Sequence, residues 1–286
     1  MADVLEVTPL TPPRVSLLSA ANIIPVSDSR WESGFDVEAE GCEVAYSYAV
    51  CPDEQADPKD ADGYNVCWSY QPYVVYASDK ASTFATARRD PYGRATRKLI
   101  LAESTRLEAE LWLGTSGGNP ALAGWIDPVT TNPVEPTTIT FTGTQTPAEG
   151  LAALDQALGN CSSGRGMIHV RPAVLPYLLE KMAVRREGNV YLSPMDNIVV
   201  PGRGYPGTGP AGQAVGATEW MFANTGIVEV RHSEIILTPP QNDQASQYDR
   251  SVNDRIVRAE RVTHVALDPS CCVLATEITN PVIYGS

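Results

Sequence analysis

The chain has 286 residues, of which 43% are hydrophobic and 19% charged, and its formal net charge is −13 at pH 7. This composition is typical of a folded globular protein and excludes a disordered one. The negative charge argues against tight, sequence-independent binding to nucleic acid, and the lack of any run of about 18 apolar residues argues against a membrane partner.

Residues 1–30 combine four prolines with short apolar pieces. Proline fixes the backbone and restricts the residue before it, so this composition predicts an extended arm lying on another surface. A disordered tail is disfavoured because Val15, Leu17, Leu18 and Ile23 are too apolar for one.

Residues 31–79 predict a long two-stranded excursion. An alternating segment from Trp31 leads into the acidic, turn-rich stretch 51–63, and a second segment rich in β-forming residues, 64–78, returns from it. Isolated hairpins are marginal in water, so we expect this one to rest against another surface, such as a second copy of the chain.

The stretch from Asp90 to Gly114 predicts a long helix with both ends marked. Asp90 can cap the first turn, Pro91 suits the first helical position, and Gly114 suits the left-handed residue that ends many helices. Apolar residues surround most of its circumference, which predicts contacts on several sides: Leu99, Ile100, Leu101, Leu107, Leu111, Trp112 and Leu113.

The segment 146–258 alternates helical and strand patterns, which predicts an α/β subdomain. Thr146 and Glu149 form a capping box for a helix that ends at Gly159. Further elements are predicted as strands 166–170, 189–193 and 197–201 and a helix 172–186 whose apolar face carries Leu175, Leu178, Leu179 and Met182. A Gly- and Pro-rich stretch at 202–216, two more strands, a polar loop 239–254 and strands from Arg255 and at 271–278 complete the chain.

The stretch Gly202–Gly207 matches the G-x-G-x-x-G pattern of dinucleotide-binding loops and follows a predicted strand. That function requires a helix directly after the loop, and Thr208 to Gly212 cannot form one. A flexible or closely packed loop is the better interpretation, and an α/β enzyme that holds an anionic substrate at 202–216 stays as a lower-ranked alternative.

No other pattern predicts catalysis. His169 and His264 lie in apolar strand-like runs and are expected in the core, whereas His232 is expected at the surface. The acidic residues Asp53, Glu54, Asp57, Asp60 and Asp62 lack the spacing of a calcium-binding loop. We therefore predict no catalytic, cofactor-binding or metal-binding residues, no cofactor and no enzymatic activity.

Six cysteines are present: Cys42, Cys51, Cys67, Cys161, Cys271 and Cys272. Without a C-x-x-C pair and with only three histidines, a structural zinc site is not expected. The spacing of the first three is compatible with one disulfide, although intracellular assembly favours free thiols. The adjacent pair 271–272 is expected to pack on both faces of a strand.

The order of these parts resembles the major capsid proteins of tailed bacteriophages, which have the α+β Hong Kong 97-like fold. The local pieces that carry the resemblance are YQPYVVYAS, LEAELWLGTSGG, VVPGRGYPGTGP and AERVTHVALDPSCCVLATEI, which look like head proteins of actinobacterial phages. The resemblance implies an N-terminal arm at 1–30, an extended loop at 31–79, a peripheral domain at 80–145 with spine helix 90–114, an axial domain at 146–258, and return strands of the peripheral domain at 259–286.

The resemblance also implies a function: self-assembly into an icosahedral head shell around packaged phage DNA, in a virion assembled in the host cytoplasm. The implied partners are other copies in hexamers and pentamers, portal and scaffold proteins, in some cases decoration proteins, and double-stranded DNA contacted weakly and non-specifically. The chain starts almost directly at the arm, which implies a separate scaffold or a mature form. Lysines are scarce (Lys59, Lys80, Lys98 and Lys181), so no intersubunit crosslink is expected. An encapsulin-like compartment shell, or a tail or minor head protein, remains the alternative.

Overall fold

A computed structural model describes residues 10–26, 34–38, 67–82, 90–115, 119–126, 132–140, 145–162, 164–240, 248–249, 254–269 and 271–281. Its helices are α1 (Leu17–Ala20), α2 (Pro91–Leu113), α3 (Pro147–Cys161) and α4 (Leu175–Glu180). Among the helices of these segments, none is long and apolar enough to cross a membrane.

The strands are β1 (Asn22–Pro25), β2 (Phe35–Glu38), β3 (Cys67–Tyr70), β4 (Tyr73–Ser82), β5 (Trp125–Ile126), β6 (Pro133–Val134), β7 (Thr137–Ile139), β8 (Gly166–Val170), β9 (Arg185–Glu187), β10 (Val190–Leu192), β11 (Ile198–Pro201), β12 (Thr218–Thr225), β13 (Glu229–His232), β14 (Ile236–Thr238), β15 (Tyr248–Asp249), β16 (Asp254–Ala266) and β17 (Val273–Thr279).

Two large sheets organise these strands. The six-stranded sheet has the order β1-β13-β16-β14, and β4 and β15 also pair with the long strand β16. The seven-stranded sheet has the order β7-β17-β12-β8-β11-β10-β9 and mixes parallel with antiparallel pairs. Two short pairs, β2-β3 and β5-β6, stand apart from both sheets. The predicted α+β class is confirmed.

The long helix α2 begins and ends as predicted. The Asp90 side chain accepts a hydrogen bond from the Gly93 amide at 2.9 Å, and Gly114 adopts φ 64° at the carboxyl end. The helix also packs on both sheets. Its first half lies on the six-stranded sheet through Tyr92, Ala95 and Leu99, and its second half packs into the core of the seven-stranded sheet through Leu107, Leu111 and Trp112.

The seven-stranded sheet is covered on both faces. One face carries Met167, Val200 and Phe222 and packs under the second half of α2. The other face carries Ile168, Val199 and Met221 and packs under α3 and α4. Neighbouring residues of β8 and β11 thus alternate between two cores, and both strands are buried along their whole length.

The predicted helix at 172–186 is wrong in extent, since only Leu175–Glu180 is helical. Its end is replaced by strand β9, whose pairing with β10 takes up Arg185 to Glu187. Between them the chain turns sharply, with Met182 at φ 52°. Met182 is therefore 89% exposed instead of lying on an apolar helix face.

The predicted excursion at 31–79 is also shorter than expected. Its base is present, because β2 pairs with β3 in an antiparallel register. The segment from Tyr73 onward leaves the hairpin and pairs with β16 over ten positions. The acidic stretch 51–63 lies outside the described residues, and so does Lys59.

The second half of the chain contributes strands to both large sheets. Within 146–258, strands β13 and β14 join the six-stranded sheet. Within 259–286, β17 pairs with β12 in the seven-stranded sheet, while most of β16 lies beside α2. The reason is that Val273 and Leu274, on opposite faces of β17, both need cover, which only a sheet packed on both faces provides.

A disulfide joins Cys161, at the end of α3, to Cys272, just before β17, with a Cα–Cα distance of 6.2 Å. Simple core packing of the pair 271–272 is therefore wrong, since Cys271 is disulfide-bonded as well. The bond is made because the end of α3 lies over the start of β17 at the margin of the second core. Cys42, Cys51 and the Cys67 side chain lie outside the described residues.

Candidate functional site

The Gly-rich loop 202–216 lies on the second half of α2. At Gly204 a Cβ atom would lie 2.0 Å from the Thr105 carbonyl oxygen, so only glycine allows this approach. The Gly204 amide donates a 2.8 Å hydrogen bond to Glu108 Oε2. A protein carboxylate thus takes the amide that an anionic ligand would use, and the next regular element is strand β12, not a helix.

Glu108 joins three separate segments of the chain. It is 1% exposed and accepts hydrogen bonds from the Leu17 amide of the arm (3.1 Å), the Gly204 amide of the loop and the Ser104 hydroxyl of its own helix (2.9 Å). Burial raises the pKa of Glu108, and these hydrogen bonds partly oppose that rise. The carboxylate therefore fastens the arm and the loop to the long helix.

His169 lies on the same core face of the seven-stranded sheet. Its Nδ1 is 2.7 Å from the Tyr205 hydroxyl and its Nε2 is 2.8 Å from Asn224 Oδ1. Because the Asn224 amide nitrogen donates to the Thr225 carbonyl, Oδ1 faces the ring, which assigns the proton to Nε2 and lets Nδ1 accept from Tyr205. Burial lowers the pKa of His169 to about 4, so the ring is neutral at pH 7.

The other two histidines have structural surroundings as well. His264 is fully buried in β16 and contacts the edge of Tyr70, and burial followed by the charge of Arg231 lowers its pKa to about 3. The predicted core positions of His169 and His264 are confirmed. His232 is half-buried instead of surface-exposed, because its strand β13 lies between β1 and β16.

Buried acidic side chains are held by protein groups. Glu103 accepts both of its hydrogen bonds from Arg261, at 2.9 and 2.8 Å. Asp155 lines a groove of about 400 Å³ along α3, but Ser193 and Asn197 donate to the same carboxylate. In the described part of the chain, no group of three or more His, Cys, Asp or Glu side chains is arranged to hold a metal ion.

No protein-family model and no curated protein matches the chain. Solved structures do match. The SrpI encapsulin of Synechococcus elongatus shares 12% identity at a TM-score of 0.58, with 97% of this chain and 93% of that one aligned. The capsid of a native GTA particle shares 11% identity at a TM-score of 0.56, with 98% of this chain and 96% of that one aligned. The mature capsid of bacteriophage PhiM1 shares 14% identity at a TM-score of 0.51, with 98% of this chain and 91% of that one aligned.

The chain has the Hong Kong 97-like capsid fold. Among the described residues, this Hong Kong 97-like fold leaves two broad surfaces uncovered. One is the outer face of the six-stranded sheet, where Val74, Tyr76, Ile236 and Ile256 are between 39% and 62% exposed. The other is the solvent side of α2. Sequence reasoning did not identify either surface, nor Glu108, since each depends on which distant segments pack together.

Proposed function

We propose that the chain is the major capsid protein of a tailed bacteriophage, a structural subunit without catalysis that assembles with its own copies into an icosahedral shell around double-stranded DNA. The observation that supports this most strongly is the match of nearly the whole chain to several shell-forming subunits. A match of this coverage favours a subunit of the same design over an unrelated enzyme that shares one domain.

The parts of the chain have distinct roles in this proposal. Residues 1–30 are the N-terminal arm, and the pair β2-β3 is the base of an extended loop that reaches a neighbouring subunit. The six-stranded sheet with α2 is the peripheral domain. The seven-stranded sheet with α3 and α4 is the axial domain, which meets its copies at the five- and six-fold axes. The arm is anchored in its own subunit by the buried Leu17, and the base of the loop by the buried Trp68 and Tyr70, and contacts with neighbours would complete both segments beyond these anchors.

Portal and scaffold proteins, and in some relatives decoration proteins, are the further partners of such a shell. The particle would be assembled in the host cytoplasm and released as a virion. The Gly-rich loop 202–216 was the anion site of the alternative enzyme. It is assigned a packing role here because Glu108 already accepts a hydrogen bond from the Gly204 amide.

Sedimentation and negative-stain microscopy of the purified full chain test the proposal. We expect closed shells or capsomers that assemble on changing salt and concentration. A stable monomer under all these conditions, with saturable nucleotide binding, would overturn the shell assignment in favour of the enzyme.

An encapsulin-like compartment is the second candidate, because the SrpI encapsulin matches this chain as well as the phage capsids do. The same micrographs distinguish the two functions. Shells of a single small size that contain foreign protein cargo would support the compartment, whereas shells that contain DNA would support the capsid.

A further inference from the structure

Helix α2 buries its acidic side chains and exposes its basic ones. All three of its acidic residues are buried: Glu103, Glu108 and Glu110 are 3%, 1% and 3% exposed, and Glu108 is covered by the loop at Gly204. Its four basic residues lie on the solvent side or its edges: Arg94, Arg97, Lys98 and Arg106. At 3.6 residues per turn these four fall within about half of the circumference, over roughly 18 Å of helix. A helix with nearly balanced charge in sequence thus presents a basic surface.

The Gly-rich loop adds to this surface. Arg203 is exposed and precedes Gly204, which touches α2 at Thr105 and Glu108. We call the five side chains the basic strip: Arg94, Arg97, Lys98, Arg106 and Arg203. Between them the exposed helix residues Ala102 and Thr105 are small, which allows an extended ligand to approach the backbone.

Little acidic charge neutralises the strip. Asp79 is shared by Arg94 (3.1 Å) and Lys98 (2.6 Å), and Asp90 caps the start of the helix. Within the segments that the structure describes, Arg97, Arg106 and Arg203 form no ion pair. In a chain of net charge −13, two unpaired arginines on one helix and a third on the loop beside it are an exception to the overall charge.

We propose that the basic strip faces the interior of the shell and contacts the phosphates of packaged double-stranded DNA. This inference rests on the proposed function, since it needs a shell that contains DNA. The chemistry is that of an arginine and a phosphate oxygen, which requires no base sequence. A single strip on an otherwise acidic subunit gives weak, salt-sensitive contacts, which order the outer layer of DNA and still release it.

The test removes the three unpaired arginines together, in the variant Arg97→Gln, Arg106→Gln and Arg203→Gln. Arg94 and Lys98 stay, because they hold the buried carboxylate of Asp79. The matched control removes three exposed cations from the axial side: Arg165→Gln, Lys181→Gln and Arg186→Gln. Circular dichroism checks that both variants are folded.

Binding of dissociated full-length subunits to a short fluorescent DNA duplex is measured by anisotropy between about 50 and 200 mM salt. We expect the strip variant to bind at least about tenfold more weakly at low salt and its salt slope to fall by about 0.9 for each arginine removed. The control variant should match the wild type. Equal affinity and equal slope in the strip variant would overturn the proposal.

Negative-stain microscopy of the same preparations distinguishes a failure of the proposed shell function from a failure of the DNA contact. Absence of shells from the wild type would contradict the proposed function, while the duplex titration would still decide whether the strip binds DNA. Loss of shells in the strip variant with unchanged DNA binding would assign the strip to an acidic surface of a second copy and overturn the DNA contact.

Discussion

The two large sheets of this protein differ in how much of their surface the subunit itself covers. The seven-stranded sheet is packed on both faces, by α2 on one side and by α3 and α4 on the other. The six-stranded sheet is packed by α2 on one face, and its other face is covered only near the end of β16, where Tyr70 and Trp68 lie over His264 and Ala266. On β4, Val75 is 5% exposed and faces the helix, whereas the adjacent Val74 is 50% exposed and faces outward.

This difference shows which part of the subunit is self-sufficient. A sheet with two covered faces gains its stability from its own chain, and its strands are apolar throughout. A sheet with one covered face alternates between apolar and exposed positions. Helix α2 belongs to both, so it links the self-sufficient half of the subunit to the half that leaves a surface open.

The largest expected effect tests that link. Leu99→Ala removes a buried side chain on the six-stranded sheet, and Leu107→Ala removes one in the other core. Each should lower the free energy of unfolding by about 2–5 kcal/mol, because each leaves a cavity where packing is close. Urea unfolding of the isolated subunit measures both.

Leu113→Ala, on the same helix at 43% exposure, is the control and should change the free energy by less than about 0.5 kcal/mol. A large loss for Leu107→Ala together with a negligible one for Leu99→Ala would show that the helix is anchored in one sheet only.

The next effect compares neighbouring valines in the two sheets. Replacing a buried valine by threonine keeps the shape but buries a hydroxyl, at a cost of about 1–3 kcal/mol. Val199→Thr and Val200→Thr should both lower the free energy of unfolding by this amount, since these residues face opposite covered sides and are each 1% exposed. On β4 only Val75→Thr should be costly, and Val74→Thr should stay within about 0.5 kcal/mol. Equal costs at Val74 and Val75 would mean that the outer face is covered within the monomer.

Local signals in the sequence predicted much of this architecture. The caps Asp90 and Gly114 define α2, and the Thr146–Glu149 capping box is formed at the start of α3. Short apolar runs identified β8 and β11. In each case the information lies within a few residues of the element itself, in hydrogen bonds or in apolar periodicity.

The parts that could not be predicted depend on distant segments. Glu108 accepts hydrogen bonds from Leu17 and Gly204, which are 91 and 96 residues away in the sequence. Cys161 forms its disulfide with Cys272, which is 111 residues away. The partner of β17 is decided by which sheet can cover two apolar faces. The position of the basic strip follows from the same cause, because only packing on both sheets shows which side of α2 is left to solvent.

The last effect concerns acid, and it tests whether the doubly covered sheet carries a buried neutral base. The pKa of His169 is about 4 in the folded subunit and close to 6.5 when unfolded, so the unfolded state binds the extra proton first. Stability is therefore complete above pH 6.5 and falls as the pH drops towards 4, by up to about 1.4 kcal/mol per pH unit.

His169→Gln, which keeps hydrogen-bonding groups but cannot titrate, should flatten that slope in urea unfolding between pH 7 and pH 4. The raised pKa of Glu108 acts in the opposite direction, adding stability as the pH falls, so Glu108→Gln should steepen it. An unchanged slope in His169→Gln would mean that the ring is already hydrated and that the core around Tyr205 is open to water.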